Sequence, residues 1–175
     1  MKKLFPLIIA LASVVIISCN QAPGKSNAMA DQSKAFVDKY IQAVCTGDLS
    51  AMGDALADNF KGYGPGSKDS SDRAKTLSVW KTNWDSVFTS IKYDRITAQF
   101  VSIPDGRAKG DWVLEWGDIS GTYKNGMPPV KFAFHGVYKV VNNKIEVSVG
   151  YYNVADILAQ QGFTFVPPAK KASGM

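Results

Sequence analysis

Histidine and cysteine are almost absent from this chain. One histidine, His135, and two cysteines, Cys19 and Cys45, stand among 175 residues. No two of them have the spacing of a metal-ligand set, so neither a metal nor another cofactor is expected. Basic clusters are equally scarce. The longest run of positive charge is Lys170-Lys171, which leaves nucleic acid without the electrostatic footprint it would need as a partner. Also missing are a Gly-x-Ser-x-Gly elbow, a glycine-rich lysine loop and a His-Glu-x-x-His pair, and with them the common hydrolase and nucleotide-dependent classes. A membrane-spanning helix is missing too. The apolar stretch from Leu4 to Ile17 has 14 residues and as a helix covers roughly 21 Å, against a hydrocarbon core of about 30 Å.

That stretch follows Lys2 and Lys3 and ends in the small Ser18 before Cys19, the order of a secretory leader. Ile16-Ile17-Ser18-Cys19 resembles the lipobox of bacterial lipoproteins. The resemblance implies that residues 1–18 are removed, that Cys19 is the lipid-attachment residue, and that the membrane is a partner through it. Two or three acyl chains hold firmly where one holds marginally. Asn20 in place of aspartate points to the outer membrane of the envelope. An ordinary signal peptide with an incidental cysteine is the alternative. Polar "NQAPGKSNAMA" then reads as a tether, residues 19–30.

Residues 31–166 are enough for one domain with a real core, and 167–175 read as a disordered tail. Without Lys2 and Lys3 the chain holds 18 basic and 15 acidic residues, a scattered net charge of +3. Cys45 has no disulfide partner once Cys19 is lipidated, and its place beside Val44 on an apolar helix face marks it as a buried structural thiol.

From Asp31, the residues Val37, Tyr40, Ile41 and Val44 recur at helical spacing until Gly47. Asp48 caps a shorter helix with Leu49, Met52 and Leu56 inward. After the glycine-rich "NFKGYGPGSKDSSD", a third helix starts among Ser70, Ser71 and Asp72 and carries Leu77, Trp80, Trp84, Val87 and Phe88. Beyond Ser90 the apolar period changes from helical to two, in "IKYDRITAQFVSI", "AKGDWVLEWGDI", "VKFAFHGVYKVV" and "KIEVSVGYY". Turn chemistry at Pro104-Asp105-Gly106 and Asn142-Asn143 joins antiparallel neighbours. Helices before strands give an α+β class: three N-terminal helices on a curved antiparallel sheet of four to six strands, the first strand being "NFKGYG". Gly110, Gly117, Gly136 and Gly150 permit the bending.

This order of elements, with the turn-strand "NNKI" and the closing "YNVADILAQQG", resembles the nuclear transport factor 2-like fold and within it the SnoaL-like family, over Gln32 to Phe163. The resemblance implies a cone with an apolar pocket between helices and sheet, and a homodimer through the outer face of the sheet. It also implies proton-transfer chemistry on small carbonyl compounds in some members. In the cyclase pattern the residue after the closing aromatic is an acid–base aspartate. Here it is Asn153, and an amide cannot take and return a proton near neutral pH. Asp156 follows in the helical segment.

Candidate catalytic residues are therefore His135, whose ordinary pKa of about 6.5 suits proton transfer, and Asp118. Each also has a structural reading, His135 as an interfacial side chain and Asp118 as a solvated strand-end acid. Candidate pocket residues are Tyr63, Trp80, Trp84, Trp116, His135 and Asn153. Trp112, Leu114, Trp116 and Asp118 share one strand face and Asp111, Val113 and Glu115 the other, with the inward face open. Three functions follow: a lipid-anchored, non-catalytic binder of a small apolar ligand; an isomerase or cyclase on a small carbonyl compound; or a dimerising module with a vestigial pocket.

Overall fold

The structure, a computed structural model, describes residues 23–166. The leader, Cys19 and the tail from 167 lie outside the described residues. Helix α1 (Pro23–Thr46) and α2 (Leu49–Ala55) precede β1 (Leu56–Tyr63), β2 (Ser70–Asp72), α3 (Arg73–Thr82) and a π-helical turn (Asn83–Val87). Then come β3 (Phe88–Ile103), β4 (Gly110–Tyr123), β5 (Val130–Val141), β6 (Lys144–Tyr152) and α4 (Val154–Gln160). The class is α+β, and the six strands form one sheet in the order β2-β1-β6-β5-β4-β3. Strands β3 to β6 are the expected antiparallel meander. One pairing differs from the antiparallel expectation: β1 lies parallel to β6. Parallel neighbours need a long connection, which α3 and the whole meander supply.

Local chemistry sets the helix limits. The first helix begins at Pro23, eight residues before Asp31, so that part of the expected tether is helical. Proline suits a first helical position because its missing N–H would be unpaired there, and Ala28, Met29 and Ala30 are good helix formers. It ends where Gly47 adopts a φ of 74° and the Asp48 N–H donates to Ala43 O at 3.0 Å. Asp48 then caps α2 by accepting from the Ala51 N–H at 2.9 Å, and Asp72 caps α3 by accepting from Lys75 at the same distance. Leu56 and Phe88, expected on helices, instead open β1 and β3. Asn142 and Asn143 both take positive φ, as the tight β5–β6 turn requires.

Val37, Tyr40 and Ile41 of α1 and Met52 of α2 pack on Leu56, Phe60, Val113, Tyr138, Val140 and Ile145 of the sheet. This core fills the end of the sheet near the β5–β6 turn, while the other end stays open. Two features curve the sheet there. The β3–β4 register shifts between Arg95 and Thr97, pushing Ile96 out to 73% exposure. Tyr93 and Phe100 are an odd number of residues apart, so the extra residue is what lets both face inward. Opposite, Gly117 gives Tyr93 room to lie flat: a Cβ there would come within 2.6 Å of both that ring and Asp94 O.

Candidate functional site

Alternation along β4 sends Val113, Glu115, Gly117 and Ile119 inward and Trp112, Trp116 and Asp118 outward. The far end of that row, Ile119 with Gly121 and Tyr123, joins β3, β5, β6 and the C-terminal half of α1 in walling a cavity of about 460 Å³ closed on one side by α3 and edged by Tyr63 of β1 and Ile157 of α4. Its wall contains ten aromatic side chains, among them Tyr40, Trp80, Tyr93, Phe134, Tyr138 and Tyr152, along with Ile41, Val44, Ile91 and Ile119. No charged side chain lines it among the described residues. Polar side chains at the wall are few: the tyrosines, Asn83, Cys45, Ser148, and the Ser71–Thr76 hydroxyl pair, 2.7 Å apart.

Charge gathers just behind that wall, in the region between cavity and core. Glu115 is fully buried, with 0% exposure. Arg95 donates from Nη2 to Glu115 Oε1 at 2.6 Å and pairs through the same nitrogen with Asp38 of α1. Burial raises the Glu115 pKa, and Arg95 offsets part of that rise. The Tyr93 hydroxyl is close enough to feel the carboxylate, which adds to burial in holding its proton. Yet neither the Tyr93 hydroxyl nor Glu115 Oε2 makes a formed hydrogen bond, although both atoms are buried. The Tyr40 hydroxyl is pushed up to about 12 by burial, with a hydrogen bond from Trp80 pulling it back in part. Burial also raises the Cys45 pKa and so keeps it a thiol; expected as a buried structural thiol, it is only partly buried and reaches the cavity wall.

Solved structures that resemble this arrangement share its fold at low identity. An LEH-like epoxide hydrolase from M. tuberculosis superposes with a TM-score of 0.60 at 17% identity, covering 76% of this chain and 91% of its own. A protein of ketosteroid isomerase-like fold from Catenulispora acidiphila DSM 44928, solved with trimethylamine, gives 0.60 at 21% identity, with coverage of 75% and 97%. An NTF2-like protein of unknown function from Cytophaga hutchinsonii ATCC 33406 gives 0.52 at 18%, with coverage of 72% and 94%. The chain has the nuclear transport factor 2-like fold. Others of this fold are described as candidate polyketide cyclases. No protein-family model and no curated protein matches the sequence.

Within this NTF2-like cone the expected site residues separate. Tyr63 and Trp80 reach the cavity wall. Trp84 does not, because its ring lies on Gly47 and its indole N–H donates to Val44 O at 2.9 Å, closing the C-terminus of α1. Trp116 and His135 are on the outer face, stacked at 4.6 Å with Tyr151 next in line at 5.8 Å. His135 Nδ1 donates to Glu115 O at 2.9 Å. Asp118 pairs there with Lys131 at 3.0 Å. Asn153 caps α4, accepting from the Asp156 N–H at 3.2 Å, and Asp156 holds Gln160. In "YYN" only Tyr152 lines the cavity. Glu115, Arg95 and Tyr93 were not anticipated as a group. The sole sequence signal is an acid in phase with Val113 and Ile119, and the tryptophans on the opposite face leave the inward side of β4 undecided.

Proposed function

We propose that the domain binds a small, largely apolar molecule inside its cone without converting it, at the bacterial envelope to which a lipid on Cys19 holds it. The cavity carries this reading. A largely apolar space of about 460 Å³ walled by rings and branched side chains is of the size and character that holds small organic ligands. The position that serves as acid and base in related cyclases is Asn153, whose side chain is committed to a helix cap. Ile119→Trp, which fills the cavity, should abolish retention of carbonyl-bearing and lipid-like compounds in native mass spectrometry. Retention of the same compounds by that variant would place binding elsewhere. The envelope location is tested by metabolic labelling with a fatty acid, which Cys19→Ala should prevent.

A second reading, an isomerase or cyclase on a small carbonyl compound, is favoured by one observation: a buried carboxylate of raised pKa beside a tyrosine hydroxyl at the cavity wall. In that case Glu115→Gln stops turnover and His135→Ala does not.

The outer face supports self-association as a companion property. Trp116, His135 and Tyr151 form an exposed ladder across β4, β5 and β6, the kind of aromatic surface that pairs with another copy.

A further inference from the structure

The charges behind the cavity wall do not balance. Asp38 and Glu115 share one guanidinium, that of Arg95, so with both carboxylates ionised the cluster carries one excess negative charge. The Asp38 side chain is 39% exposed and partly screened by water, whereas Glu115 is fully buried. Glu115 Oε2 and the Tyr93 hydroxyl are both closed to solvent, and Tyr93 lines the cavity in front of the carboxylate. At the other end Asp69 acts on the cavity-lining Tyr152 as a negative charge.

Between these carboxylates the wall is aromatic and holds no lysine, arginine or histidine among the described residues. Ring faces are negative and attract ammonium groups. An anionic ligand would find no cationic side chain here, and a neutral one would gain nothing from the carboxylate behind the ring. We infer that the ligand of this cavity is an organic cation, an ammonium group with apolar substituents, held by the aromatic wall and by Tyr93 backed by Glu115. This rests on the binding role proposed above and adds the charge of the ligand.

The test uses the full chain with two probes of one shape: dimethylbenzylammonium, which carries a charge and one N–H, and isobutylbenzene, its neutral carbon isostere. Titration calorimetry should show the cation binding at least about tenfold tighter, equivalent to about 1.4 kcal/mol. Glu115→Gln and Tyr93→Phe should each bring that ratio toward one while leaving isobutylbenzene within about twofold of its original affinity. Thermal unfolding of both variants confirms that they fold, and either alone suffices. Equal or tighter binding of isobutylbenzene overturns the inference and leaves the apolar-ligand reading intact. A preference that survives both substitutions overturns it as well, because the cation is then held elsewhere. Binding of neither probe removes both.

Discussion

Arg95 holds Glu115 from the neighbouring strand at 2.6 Å, and the carboxylate it holds is fully buried. Removing one partner of such a pair strands the other, which typically costs about 3–5 kcal/mol, whereas replacing the charge by a neutral isostere costs far less. Arg95→Ala is therefore expected to unfold at much lower urea concentration than the wild-type chain, and Glu115→Gln close to it. Equal losses in the two variants would contradict the role given to Arg95.

The raised pKa of Glu115 has a sign in stability. Its folded-state value lies above the ordinary 4.5, so the folded state binds the proton more tightly than the unfolded chain. That contribution is complete below pH 4.5, and it is lost as pH rises through the raised value. The groups acting on it are Arg95 and Tyr93 of β3 and Tyr138 of β5; behind these, Asp38 of α1 pairs with Arg95, Cys45 acts on Tyr93 and Tyr40 on Tyr138. Glu115→Gln removes this dependence. The stability of the variant relative to wild type should rise from pH 4.5 upward, and urea midpoints taken across that range decide it.

Trp80 and Trp84 make a paired test. They are one helical turn apart, yet only Trp80 reaches the cavity while Trp84 closes α1 on Val44 O. Trp84→Phe should cost about 1–3 kcal/mol, the loss left by an unsatisfied carbonyl, with ligand retention unchanged. Trp80→Phe should weaken retention instead.

Gly117 sits where a methyl group would meet Asp94 O and the Tyr93 ring. Gly117→Ala must move backbone, so a cost of about 1–3 kcal/mol is expected, with Tyr93 displaced and cation preference reduced. Chemical denaturation and the two-probe titration measure these separately.

The outer aromatic ladder predicts association. Trp116 is 38% exposed on an otherwise regular sheet face, and Trp116→Lys should shift the chain toward monomer in sedimentation, with cavity binding unaltered. A wild-type chain that is monomeric at every concentration would remove the ladder's proposed role.

Much of this fold was legible from residue spacing, and the reasons are local. Gly47, Asp48, Asp72 and the Asn142-Asn143 turn act on their own neighbours, so the elements they bound could be placed. The curved sheet followed from the change of period after Ser90. What could not be read depends on distant partners. Trp84 finds its place only because Gly47 and Val44 meet it across 40 residues, and the parallel pairing of β1 with β6 joins opposite ends of the domain. The inward face of β4 stays undecided in the sequence for a physical reason: its bulkiest residues, Trp112 and Trp116, face outward, and its acid at 115 faces in. Cys45, expected as a buried structural thiol, is only partly buried and lines the cavity beside Tyr93, a distant partner on β3.

The central claim is an open aromatic cavity that admits a small guest. A crystal structure of the chain grown with indole tests it most directly. The account predicts electron density for the guest between Trp80 and Phe134 with its N–H toward Tyr93. A cone packed solid by its own side chains, or indole seated only on the outer face, would contradict it.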